Sequence, residues 1–69
     1  VNNFPERLKS LRLEAGLSQP KLAEQTGISP SAVQSYELNR REAKTTQLIA
    51  LADFFDVSLD YLVGRSDER

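Results

Sequence analysis

Ser18-Gln19-Pro20-Lys21-Leu22-Ala23-Glu24-Gln25-Thr26-Gly27-Ile28-Ser29-Pro30-Ser31-Ala32-Val33-Gln34-Ser35-Tyr36-Glu37 is the stretch on which the fold turns. It holds two helix starts, at Ser18 and Ser29. A serine in that place accepts a hydrogen bond from a free N–H of the first turn. Pro20 and Pro30 fall inside those first turns, where a missing N–H removes no intrahelical bond. Between the two starts, Gly27 supplies the positive φ at which a short helix stops and reverses. Leu22, Ala23, Val33 and Tyr36 fall on inward faces at helical spacing, which predicts two helices packed at a corner. The second of them keeps a small polar face uncovered.

The same punctuation extends outward. Asn3 can cap a first helix, with Pro5 in its first turn, and Phe4, Leu8, Leu11 and Ala15 form one apolar stripe ended by Gly16. The helix after Ser29 ends near Leu38-Asn39, Asn being the second choice after Gly for a left-handed stop. A fourth helix begins near Lys44 or Thr45, carries Leu48, Leu51, Ala52 and Phe55, and closes at Asp56-Val57. Ser58 caps a short fifth helix with Leu59, Leu62 and Val63, stopped by Gly64, and residues 65–69 read as a frayed C-terminal tail. Sustained alternation and hairpin dipeptides are absent. The expectation is an all-α domain over residues 1–64, a compact bundle of about five short helices.

Composition bounds the chemistry. Sixty-nine residues hold one core. With no Cys and no His, there is no disulfide, no thiolate or imidazole metal site and no histidine base. The carboxylates Glu6, Glu14, Glu24, Asp53, Asp56 and Asp60 are scattered, without a partnered nucleophile. No catalytic residue, metal, cofactor or small-molecule ligand is therefore expected, and no enzyme. The longest apolar run, Leu48 to Ala52, is far too short for a membrane span, and the N-terminus lacks signal-peptide character; a cytoplasmic chain with no membrane partner is expected. The formal charge is −1, unevenly spread. Residues 1–44 carry seven Lys or Arg against five Asp or Glu, and residues 45–69 carry two against five. Such an asymmetry can orient a protein on a polyanion.

With the glycine turn in place, the chain resembles the helix-turn-helix domains of the lambda repressor and Cro kind (XRE type). The motif covers about residues 18–37. The residues that carry the resemblance are Arg12, Leu17-Ser18-Gln19, Leu22-Ala23, Gly27-Ile28-Ser29, Val33, Tyr36-Glu37, Leu48, Leu51-Ala52 and Val57-Ser58-Leu59. In that family the second helix of the motif lies in the DNA major groove, while the first crosses the backbone. The resemblance therefore implies a transcriptional regulator that binds double-stranded DNA, most simply a repressor acting by operator occupancy, as a homodimer on a palindromic operator. It implies DNA contact at Gln19, Ser29, Pro30, Ser31, Gln34 and Ser35, and phosphate contact at Arg40, Arg41 and Lys44. Arg12 and Glu37 resemble a structural ion pair, worth about 3–5 kcal/mol if buried and below about 1 kcal/mol if exposed.

Several positions depart from that family. Serines fill much of the reading face, Pro30 offers no donor, Asn39 stands where Gly is usual, and Pro20-Lys21 replaces an acidic pair. Gln34 is the candidate for direct readout, since its amide can bond adenine at N6 and N7 together. Leu38, Phe54, Tyr61 and Leu62 are candidate dimer contacts. The other reading is an antitoxin-like or protein-interaction module with weak DNA binding, which the near-neutral charge and serine-rich face motivate.

Overall fold

The three predicted serine caps meet their helices in the computed structural model, which describes residues 3–69. The order is α1 Phe4–Glu14, α2 Gln19–Thr26, α3 Pro30–Glu37, α4 Thr45–Phe55 and α5 Leu59–Leu62, with no strand among the described residues. Ser18, Ser29 and Ser58 accept from the backbone N–H of Lys21, Ala32 and Tyr61 respectively. Asn3 precedes α1 but makes no such bond with its side chain.

The helix ends explain how so short a chain turns four times. At α1, α3, α4 and α5 a left-handed residue follows the last turn: Gly16, Asn39, Asp56 and Gly64. In each case its N–H, and that of the next residue, return to carbonyls of the last turn, as in Arg40 to Ser35 at 2.8 Å and Val57 to Ala52 at 3.0 Å. That is the Schellman pair, which satisfies carbonyls otherwise left open. Helix α2 ends differently. Gly27, at φ 75°, makes the single bond to Ala23, so the chain leaves directly into Ile28 and the cap of α3.

Every helix contributes to one core. Leu8, Leu22, Val33, Tyr36, Leu51 and Leu62 are fully buried, at least one from each of the five helices. A side chain of this kind contributes about 1.5–3 kcal/mol when removed from water. Ile28 plugs the turn between α2 and α3 and is buried too. Helix α3 lies centrally, packed on both α1 and α2, while α4 packs on α5 and α2. The Tyr36 hydroxyl donates to the Gln47 side chain, tying α3 to α4, and its ring lies 5.9 Å from that of Phe4. The Cα radius of gyration, 10.6 Å, is close to the value of about 11 Å expected for a folded chain of this length.

Three expectations are corrected. Ala15 is exposed, and Arg12 completes the buried side of α1 instead; the helix ends at Glu14, so Ala15 falls at its C-cap, outside the helical stripe. Residues 65–69, expected as a free tail, fold back onto the domain. Arg7 donates to the carbonyls of Tyr61 and Ser66 and to Asp67, Arg69 grips both Glu14 oxygens at 2.7 and 2.8 Å, and the Ser58 N–H donates to the Arg69 carbonyl. The third concerns the dimer candidates. Leu62 is wholly buried and so is no surface residue. Tyr61 is flanked by two guanidiniums, Arg7 at 4.0 Å and Arg69 at 5.4 Å from its ring centroid, so its face is already occupied.

Candidate nucleic-acid interface

The α2–α3 corner buries Leu22 and Ala23 on one side and Ala32, Val33 and Tyr36 on the other. A helix of eight residues has few faces left. The remaining one carries Ser29, Pro30, Ser31 and Gln34, all exposed, with Ser35 half-buried. Gln34 is thus the longest donor and acceptor on that face. Ser29 is partly committed, because its hydroxyl caps Ala32 and lies 3.4 Å from that of Ser31. Pro30 presents only an apolar ring.

Behind this face lies a buried polar network. Arg12 and Glu37 meet with both forks, Nε to Oε2 at 2.6 Å and Nη2 to Oε1 at 3.0 Å. Their side chains are 10% and 4% exposed. Arg12 also donates to the Leu17 carbonyl at 2.8 Å. The hydrogen bond to Glu37, the largest influence, raises the Arg12 pKa above its ordinary value against the opposing effect of burial. Glu37 in turn accepts from the Gln19 amide at 3.1 Å. The Arg12–Glu37 pair therefore links the end of α1, the loop before α2, the first residue of α2 and the end of α3. The Gln19–Glu37 bond was not legible in the sequence: eighteen residues separate the two, and neither helical nor strand periodicity links them.

Arg40 and Arg41, in the loop after α3, and Lys44, the N-cap of α4, are exposed. None is in an ion pair among the described residues. Lys44 provides no side-chain cap to α4; its carbonyl accepts from the N–H of Gln47 and Leu48, so only the first two N–H groups of the helix lack such a bond beside these cations. Leu38 and Phe54 are exposed, and so are Leu13, Ile49 and Leu59, which the apolar stripes did not single out as surface. They interrupt or flank the stripes, and stripe counting alone does not separate such residues from core. No helix among the described residues is long and apolar enough to cross a membrane.

Two caps, a left-handed glycine, and an outward polar helix beside free cations define a helix-turn-helix domain. The family model described as helix-turn-helix matches residues 8–62, and the chain belongs to that family. An uncharacterised HTH-type transcriptional regulator of Bacillus subtilis (strain 168), YqaE, is 42% identical over 67 residues, covering 96% of this chain and 58% of the relative. The chain spans about half the length of the curated relatives it matches. A transcriptional regulator from Listeria innocua superposes with a TM-score of 0.86 at 32% identity, over 99% of this chain and 64% of that one. The P22 c2 repressor, solved with a synthetic operator, has a TM-score of 0.86 at 26% identity, over 96% of this chain and 100% of that one.

Proposed function

We propose that residues 1–64 form the sequence-specific DNA-binding domain of a transcriptional regulator, acting in the cytoplasm as a repressor by operator occupancy. The observation that carries this reading is the open polar face of α3 with three unpaired cations in the segment that follows it. In this reading the N-terminal half of α3 enters the major groove. Gln34 bonds an adenine edge, a bidentate contact worth about 1–3 kcal/mol of discrimination. Ser31 and Ser35 contribute short polar contacts, Ser29 contacts a phosphate beside its own cap, and Pro30 packs against a base methyl or sugar.

Arg40, Arg41 and Lys44 neutralise phosphates. Gln19, held by Glu37, offers its second amide hydrogen to a phosphate at the start of α2, where the helix dipole favours an anion. One recognition helix reads few base pairs, so two copies on a palindromic operator give usable affinity. Leu38 and Phe54 are the remaining candidate contacts between them. The P22 c2 repressor's capture with an operator supports the DNA reading.

Selection of duplexes from a random pool tests it. Recovered duplexes are expected to share a two-fold symmetric sequence and to outcompete scrambled duplexes at every salt concentration. Equal affinity for both would refute sequence-specific regulation. It would favour the antitoxin-like or protein-interaction reading, which the charge of −1 supports.

A further inference from the structure

A groove of about 400 Å³ opens beside the basic segment, away from the reading face of α3. Phe4, Ala43, Leu48 and Val63 give it an apolar lining, and Arg41 and Arg65 stand among the remaining lining residues with Asn39. Its volume lies within the range of about 300–1,000 Å³ typical of small-molecule sites. Neither arginine forms an ion pair among the described residues. Glu42 also lines the groove, but two cations against one carboxylate leave a surplus of positive charge. An apolar floor flanked by two arginines outside any ion pair suits an apolar stem ending in an anionic head. Arginine's planar fork suits a carboxylate in particular.

We propose that this groove binds a small amphiphilic carboxylate. The stem lies on Phe4, Leu48 and Val63, and the head sits between Arg41 and Arg65. Because Arg41 also belongs to the cationic segment after α3, the bound head competes with a DNA phosphate for it. The ligand therefore loosens the protein from DNA; this second step rests on the DNA reading above, whereas the groove itself does not.

The test uses the full chain and decanoate below its micelle concentration, with decanol as the uncharged match. Amide and methyl NMR shifts report binding without DNA. Shifts are expected to cluster at Phe4, Ala43, Leu48 and Val63, with decanoate about tenfold tighter than decanol. Arg65→Ala is expected to bring decanoate down to the decanol level. Arg65 contributes to the fold through its backbone N–H, which the substitution keeps. Binding to the duplex recovered by selection is then expected to weaken with decanoate for the parent chain and not for Arg65→Ala.

Equal binding of decanoate and decanol, or shifts centred on Ile49, Phe54 and Leu59, would overturn the proposal. So would groove shifts that follow protein concentration without added ligand, since a second copy would then be the occupant. Groove binding with no change in DNA affinity overturns the competition alone. Absence of any selected duplex, with groove binding intact, counts against the DNA reading and not the site.

Discussion

Removing the Glu37 carboxylate is the most informative perturbation. Glu37→Ala leaves the Arg12 guanidinium with one acceptor, the Leu17 carbonyl, at a side chain only 10% exposed. It also removes the acceptor of Gln19. Breaking a buried pair from one side costs about 3–5 kcal/mol, because the remaining charge is stranded. A domain of this size has about 3–10 kcal/mol of stability in all, so the loss takes a large share of it. At about 4–8 °C per kcal/mol, the melting temperature falls by more than about 12 °C.

The assay is urea unfolding followed by circular dichroism, comparing midpoints at a shared m-value. Arg12→Met with Glu37→Leu separates stranded charge from lost bonding. If charge is the cause, that double variant recovers most of the loss or exceeds the parent. A single-variant loss below about 1 kcal/mol, the range of an exposed pair, would falsify the burial argument. A double variant as unstable as Glu37→Ala would show instead that tethering Leu17 and Gln19 is what matters.

Four further outcomes follow from particular contacts. Gln34→Ala is expected to flatten preference at one base pair per half-site, by about 1–3 kcal/mol, read as competition between single-base variants of the selected duplex. Alanine at Arg40, Arg41 or Lys44 is expected to weaken binding to all duplexes alike and to lower the log–log salt slope by about 0.9 per lost phosphate contact; an unchanged slope would remove that residue from the interface. Gly64→Ala is expected to destabilise by clearly more than Gly16→Ala in thermal melts. Both positions have positive φ, a cost of about 1–2 kcal/mol for alanine, but a Cβ at 64 also meets the Cβ and N of Asn3 at 2.9 Å, whereas one at 16 meets nothing. Glu14 is expected to titrate below its ordinary value of 4.5, chiefly because Arg69 hydrogen-bonds its charged form. The stability from that pair is present above the ordinary value and disappears as pH falls through the lowered one. A carboxyl NMR titration unchanged by Arg69→Ala would show that the contact does not persist in solution.

Much of the architecture was legible because its signals are local. A capping serine, a proline in the first turn and a residue tolerant of positive φ act within four or five positions. They marked α2, α3 and α5 nearly to the residue. Even Asn39 and Asp56 adopt positive φ, where side chains with local hydrogen-bonding capacity tolerate it best. The polar face of α3 was likewise legible by subtraction: once Val33 and Tyr36 were placed inside, Ser31 and Gln34 had to face out.

What local patterning could not supply are pairings whose partners lie far apart along the chain; Arg12 with Glu37 came only through the family resemblance. Arg7 with Asp67, and Arg69 with Glu14, are 60 and 55 residues apart. No periodicity links such positions, so a docked tail looked free and the covered Tyr61 looked available. Leu62 shows the same limit from the apolar side: a four-residue helix has too few positions for its pattern to reveal which face is covered. The sequence alone therefore determined where helices begin and end and which face of α3 stays polar, because those follow from backbone hydrogen bonding within a turn or two. Tertiary structure alone decided the burial of Arg12 with Glu37, the tether on Gln19 and the closing of the C-terminal residues onto α1, because each depends on distances that only the packed chain sets.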